Sequence, residues 1–477
     1  HDERSRSGTD FFLGKPWPHP STSRSSNRSR IRQSLNREHH PAYRYGLCLA
    51  GYPSYLFFPP MNRVLPADIR EYFPIFSHHP ELAYLDSAAT SLKPDCVITA
   101  ERAYEEQYSA NIGRGLYPIA EQATEAFEAV RERTARFIGA TSREIIFTQN
   151  TTQSLNMVAA WITPRLRAGD NIVITDAEHH ANFLPWVELA EAKGIELRIV
   201  PFDTDGLIEP AAMTTLVDTR TALVAFSAVS NVFGGINPVA DIIQAVRTKN
   251  VGALTVIDAA QAALHIPINT VEWNADFVAF SAHKLYGPTG VGILYGRASI
   301  LETLPPLTFG GGMVLDACPP SKNGQMCSAP RKYKDIPHRF EAGTPNISGV
   351  IGWGAALDFL ETIGVEAIRA HEASLIRSAL TRLTETFGDA IRILGPSLPE
   401  RRSGLIAFAL KGIHPHDLAH LLGEQSVCIR AGEHCASPLH RRLDITSTAR
   451  ISFGIYTTER DIDRFIEVTK KALSLLA

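Results

Sequence analysis

A lysine becomes a useful nucleophile toward carbonyl groups when it is drawn out of water, because desolvation lowers its proton affinity. Lys284 occupies such a place. It follows the apolar run 276–280 within Ser281-Ala282-His283-Lys284, bracketed by small residues and Gly287. Taken alone, it reads as an exposed loop charge. Asp258 adds a second group, at the end of the apolar run 254–257. A carboxylate there needs a cation or hydrogen-bond donors to offset its burial. It either caps a helix over 259–264 or faces a protonated ring nitrogen.

Two further clusters extend the pattern. Asn150-Thr151-Thr152-Gln153 lies between a strand run ending at Thr148 and a helix starting near Ser154. Hydroxyls and free N–H groups at a helix start serve either as a plain cap or as a phosphate site. Glu178-His179-His180 follows the run 171–175 without an evident third metal ligand, so no metal is expected. The alternative is an imidazole that stacks on a ring and moves protons. An amine nucleophile, a partner for a ring nitrogen, an anion site and a stacking imidazole are what pyridoxal 5'-phosphate (PLP) requires. Its protonated ring acts as an electron sink.

These residues need elements to hold them. Apolar runs at 144–148, 171–175, 196–201, 221–226, 254–257, 276–280 and 290–295 read as buried strands. Helix-period segments at 154–165, 184–193 and 239–249 lie between them. This alternation predicts an α/β fold with a large, mixed, mostly parallel sheet covered on both faces. Ligands of such sheets bind beyond the carboxyl ends of the strands. After about residue 350 the character changes. Helical segments 351–361 and 365–387 precede strands at 404–410 and 426–430. The chain then runs through 450–453 to a final helix over 459–476, with Thr457 or Thr458 as its cap. The expected division is a disordered extension over 1–60, a large cofactor-binding domain over 61–345 and a smaller α+β domain over 346–477. The first stretch of the large domain is free to pack on the small one. Residues 310–337 read as a long surface loop.

Composition excludes several classes of partner. A net charge of −3 over 477 residues gives no case for nucleic acid or an anionic membrane surface. No apolar run is long enough to cross a bilayer. Six cysteines without a Cys-x-x-Cys pair make neither a disulfide framework nor a zinc site. A reducing compartment, the cytoplasm, is expected. The stretch 21–37 is rich in Ser and Arg and poor in acids. It reads as a disordered tail, as sequence upstream of a start at Met61, or as an organelle transit peptide.

Seven motifs in order carry a resemblance: Tyr84-Leu85-Asp86-Ser87-Ala88-Ala89, Glu178-His179-His180-Ala181-Asn182, Ser230-Asn231, Asp258-Ala259-Ala260-Gln261, Ser281-Ala282-His283-Lys284-Leu285-Tyr286-Gly287-Pro288-Thr289-Gly290, Arg339-Phe340-Glu341-Ala342-Gly343-Thr344-Pro345, and Arg430-Ala431-Gly432-Glu433-His434-Cys435-Ala436. From about Met61 onward the chain resembles the class V aminotransferases (fold type I), and among them the SufS-type (group II) cysteine desulfurases. The resemblance implies that Lys284 carries PLP, Asp258 pairs with its ring nitrogen, Gln261 bonds its ring hydroxyl and His179 stacks on the ring. Thr152, Ser281 and His283, beside Thr151, hold the phosphate, and Thr344 reaches it from the second subunit of a homodimer. Asn231 and Arg450, with Arg430, bind the carboxylate of free L-cysteine.

Cys435 would accept the sulfur as a persulfide while alanine departs, with His434 or Arg430 favouring its thiolate. A SufE- or SufU-type protein would collect the sulfur for iron–sulfur cluster assembly. The same fold and lysine also support a selenocysteine lyase, a cysteine-sulfinate desulfinase, or a PLP-fold scaffold without turnover. Read without the resemblance, Cys435 is also compatible with a small buried hydrophobe, and Cys428, inside a strand run, reads as core. Two departures from the SufS pattern stand out. Gly113-Arg114-Gly115 replaces His-Arg-Gly, and Glu433 replaces a histidine. Cys318 and Cys327 read as bystanders.

Overall fold

The apolar runs pair with one another. In the computed structural model, which describes residues 65–66, 68–317 and 331–476, seven strands form one sheet. Their order is Ile145–Thr148, Gly292–Gly296, Phe277–Ser281, Leu254–Asp258, Thr221–Ser227, Asn171–Thr175, Glu196–Val200. Gly292–Gly296 is antiparallel to both neighbours, and the other pairs are parallel. Thr148, Thr175, Ser227, Asp258 and Ser281 therefore end at one edge, where ligands of such sheets bind. Asn171–Thr175 is buried along its whole length. Ile172 and Ile174 pack into one apolar cluster and Val173 into another, so both faces are covered.

Local chemistry sets the helix ends. The side chain of Asn150 caps helix Thr151–Ile162 by accepting the Gln153 N–H at 2.9 Å. Helix Leu184–Lys193 ends on Gly194 at φ +61°, a left-handed cap that suits glycine. A Cβ on Gly292 would lie 2.4 Å from Thr148 Oγ1 and 2.5 Å from the Asn150 nitrogen. Only glycine lets that strand pass so close to the start of the helix.

A second sheet, antiparallel throughout, has the order Ile391–Ile393, Leu405–Leu410, Thr448–Ser452, Arg430–Gly432. Helices Val365–Phe387 and Glu459–Leu476 cover it, with Leu375, Leu383, Ile462 and Phe465 sharing an apolar cluster with Ile406 and Phe408. Near the start of the described residues, Ala83–Tyr84 pairs in parallel with Val427–Cys428, and Asp86 bridges to Ser452. Both sheets fall within one compact unit, Pro53–Ala477.

Some expectations change. The run 426–430 is not one strand. Ser426 stands at φ +57°, Val427–Cys428 pairs with Ala83–Tyr84, and Arg430–Gly432 joins the four-stranded sheet. An apolar run shows its extended character but not its partner, so one run was divided between two sheets. The helix expected over 259–264 is the shorter Ala262–His265. Cys428 is only partly buried. Part of 310–337 is regular, because Val314–Asp316 pairs with Lys332–Tyr333. Residues 1–60, Cys318 and Cys327 lie outside the described residues. Among the described residues no helix is long and apolar enough to cross a membrane, and no cluster of side chains is suited to a metal ion.

Candidate active site

At the carboxyl edge of the large sheet lies a cavity of about 400 Å³. Thr151, Thr152, His179, Asn231, Asp258, Gln261, Ser281, His283, Lys284, Arg430, Cys435 and Arg450 all line it. Thr344 does not. It is exposed, in a separate cavity of about 510 Å³ that Arg114 and Arg131 also line.

The floor is built from strand ends. Asp258 is buried and accepts the Ala260 N–H at 2.8 Å. Burial pushes its carboxyl above the usual range, while that hydrogen bond and Lys284 pull it back. Lys284 follows the adjacent strand, Phe277–Ser281. Burial brings its amine down to about 8, against the pull of Asp258, with Arg450 adding to the fall. A substantial neutral fraction is therefore present near physiological pH. His179 is pushed down to about 4, first by burial and then by Lys284. Its Nδ1 accepts the Ala181 N–H at 3.0 Å, so the neutral ring carries its proton on Nε2. His283 is likewise lowered to about 4 by burial, Lys284 and Lys93. Ser281 Oγ meets the Thr151 N–H at 2.8 Å and Thr151 Oγ1 at 2.7 Å, tying the strand end to the helix start. Gln261 Nε2 donates to the Ala88 carbonyl at 2.8 Å.

Arg430 and Arg450 stand directly opposite each other across an antiparallel pair. Facing like charges repel, and Asp86 relieves the repulsion. It accepts Arg430 Nε at 3.1 Å and Nη2 at 2.8 Å, and lies 3.6 Å from Arg450 Nη2. Arg450 is buried, with Nη1 donating to the Asn231 carbonyl at 2.8 Å and its Nε unpartnered. Burial lowers its guanidinium to about 10, Asp86 opposing, so it stays charged at neutral pH.

Cys435 is exposed. It and His434 stand at φ +56° and +51°, two successive non-glycine residues in left-handed backbone. Such residues cost roughly 1–3 kcal/mol each and need outside support. Asn231 Nδ2 donates to the His434 carbonyl and the His180 N–H to the Cys435 carbonyl, each at 2.7 Å, while His180 Nε2 accepts the Ser437 N–H at 3.1 Å. His434 does not serve as the cation expected beside the thiolate. Burial pushes its imidazole down to about 2, so it is neutral. Arg430 keeps its charge and interacts electrostatically with Cys435.

The aminotransferase class-V family model matches residues 83–465. The chain belongs to the class-V aminotransferase family. It is 42% identical over 409 residues to a probable cysteine desulfurase of Halalkalibacterium halodurans, covering 85% of this chain and 97% of that protein. The apo structure of a cysteine desulfurase from Thermococcus onnurineus NA1 superposes with a TM-score of 0.80 at 36% identity, covering 86% of this chain and 98% of that one. The cysteine desulfurase CsdA of Escherichia coli, in its S-sulfonic acid form, gives 0.77 at 35% identity, covering 88% and 100%.

The donor set of this class-V aminotransferase fits PLP. The helix start at Thr151, with the Thr152 and Ser281 hydroxyls, offers donors to a phosphate. Buried Asp258 offers a carboxylate to a protonated ring nitrogen, and Lys284 offers an amine poised to lose its proton. Two residues of the site, Asp86 and Glu178, have no role in the sequence reading. Asp86 stands inside the motif Tyr84-Leu85-Asp86-Ser87-Ala88-Ala89, which by itself gives it no role. Glu178 precedes the histidines and is buried, its two oxygens accepting from Thr175 Oγ1, Ser227 N, Ser227 Oγ and Asn182 Nδ2 at 2.6 to 3.0 Å. Burial raises its carboxyl to about 7, against those donors. Its acidic type directly before His179 was the available signal.

Proposed function

We propose that this chain is a PLP-dependent L-cysteine desulfurase. It takes sulfur from free cysteine onto Cys435 as a persulfide, releases alanine and supplies iron–sulfur cluster assembly. One observation carries the reading: a single cavity holds Lys284 and Asp258 at its floor and the exposed Cys435 at its edge.

When bound, PLP supplies an electron sink that weakens the carbon–sulfur bond of the substrate. Lys284 holds the cofactor and afterwards moves a proton at the substrate α-carbon, a task suited to an amine lowered to about 8. Asp258 keeps the ring nitrogen protonated, Gln261 bonds the ring hydroxyl, and neutral His179 stacks on the ring. Thr151, Thr152, Ser281 and His283 hold the phosphate, with Thr344 added from the second subunit of a homodimer.

Arg450 and Asn231 bind the substrate carboxylate, the guanidinium fork matching both oxygens, with Arg430 as a second cation. The Cys435 thiolate then forms a sulfur–sulfur bond with the substrate. The carbon–sulfur bond breaks, its electron pair stays with carbon, and that carbon takes up a proton to give alanine. An acceptor of the SufE or SufU type collects the sulfur from exposed Cys435 in the cytoplasm, with neither nucleic acid nor membrane as partner. The same reading divides the chain into a cofactor-binding domain over 61–345 and a smaller domain over 346–477.

The test is incubation with cysteine and PLP, measuring alanine and sulfide with and without reductant. Alanine formed with cysteine, and sulfide that requires reductant, support the reading. Unchanged cysteine turnover in Cys435→Ser would remove Cys435 from the chemistry. Turnover of selenocysteine or cysteine sulfinate without turnover of cysteine would move the assignment to those substrates.

A further inference from the structure

The turn that carries Lys284 is gripped from outside the cavity. The His283 carbonyl, one peptide bond before Lys284, accepts the Ser91 N–H at 3.0 Å, Ser91 Oγ at 3.0 Å, Thr90 Oγ1 at 3.2 Å and Lys93 Nζ at 3.0 Å. Two residues beyond Lys284, the Tyr286 N–H donates to the same Ser91 Oγ at 2.7 Å. Tyr286 is fully buried at φ +63°, a conformation that a bulky side chain adopts only when its surroundings impose it. One hydroxyl thus spans both sides of Lys284. Lys93 Nζ also donates to the Ser91 carbonyl at 2.6 Å, which locks the serine itself. The segment is anchored in turn, because the Leu92 N–H and Ser87 Oγ both meet Tyr456 Oη, at 3.2 and 2.8 Å.

We propose that Ser91 and Lys93 are positioning residues for Lys284, aiming its amine by clamping the His283 carbonyl and the Tyr286 amide. This rests on Lys284 being the residue that holds PLP. Four donors converge on one carbonyl, and the charged one makes the stronger bond. Without the Ser91 hydroxyl, the Tyr286 N–H is left in a buried place without its acceptor, and the left-handed turn loses its support.

The test compares PLP-loaded wild type, Ser91→Ala and Lys93→Met. The readouts are the pH midpoint of the visible absorption of the lysine-bound cofactor, the rate of cofactor loss on dilution, and kcat and KM for cysteine. Thermal midpoints of the PLP-free proteins are measured alongside. The expected result is a displaced pH midpoint, cofactor loss about ten-fold faster and kcat about ten-fold lower, with KM for cysteine nearly unchanged. A purely structural role would lower the thermal midpoint without moving the pH midpoint or the release rate. That outcome overturns the inference. Lys93 is only partly buried, so Lys93→Met remains informative if Ser91→Ala does not fold. If wild type shows no visible band that Lys284→Ala abolishes, the reading of Lys284 fails instead.

Discussion

The floor and the edge of the cavity are held by opposite means. At the floor, Asp258 and Ser281 are the last residues of neighbouring parallel strands, and their relative position follows from sheet register. At the edge, Cys435 belongs to no strand or helix. It stays in left-handed backbone because Asn231 and His180 tether the two carbonyls of that bend. On the proposed reading, groups that grip a rigid ring gain from a hydrogen-bonded sheet whose many ladder bonds hold their register together. A group that must receive an atom and then give it away gains from exposure and from restraints that single hydrogen bonds can release.

The largest test of the contrast is Lys284→Ala. Alanine formation should fall by roughly 10³-fold or more, and the visible cofactor band should vanish. Substantial residual turnover would move the chemistry away from the floor. Next comes Cys435→Ser, which should lower cysteine turnover by about 10²-fold. Selenocysteine turnover should stay within about three-fold, because selenium leaves more readily. Equal losses on both substrates would mean that the edge does more than accept sulfur.

A finer distinction lies between the two arginines. Arg450 is buried with Nε unpartnered, whereas Arg430 is exposed and committed to Asp86. Arg450→Lys should raise KM for cysteine about thirty-fold and Arg430→Lys about three-fold. The reverse order would make the outer guanidinium the carboxylate anchor.

The smallest effect is on stability. His179 and His283 titrate near 4 in the folded protein, below the unfolded 6.5, so the unfolded chain binds more protons between those values. In the PLP-free protein these two imidazoles therefore contribute stability that rises with pH across that window and is lost as pH falls from 6.5 toward 4, while Glu178, raised from 4.5 to about 7, contributes in the opposite sense above 4.5. Each imidazole contributes roughly 3 kcal/mol across that window, part of it offset by Glu178, and the net is read from denaturant midpoints against pH. His179→Asn should flatten the slope. His434, lowered to about 2, should extend the loss to more acidic pH, and His434→Gln should remove that extension.

Much of the floor was legible because its residues end apolar runs. That rule puts Asp258, Ser281 and Lys284 at the strand ends, while their roles come from the family resemblance, and the helix over 184–193 has the limits its periodicity predicts. The edge was less legible, because its supports come from far along the chain. The Arg430–Asp86 pair spans 344 positions, and no local pattern announces it. The neutral state of His434 is likewise a product of tertiary burial, while its sequence neighbours suggest an ordinary loop imidazole. The divided run 426–430 failed for the same reason: its two halves chose partners that local sequence does not encode. Helices Asp95–Gln107 and Pro118–Phe137 lie between the motifs, where the sequence reading places no element.

The His180 amide that holds the Cys435 carbonyl belongs to the residue next to His179, and both lie at the short turn His180–Asn182. An outward swing of the thiol that breaks this bond frees the amide beside the imidazole. On the proposed reading, the release of sulfur from Cys435 and the setting of His179 would therefore meet at one peptide unit.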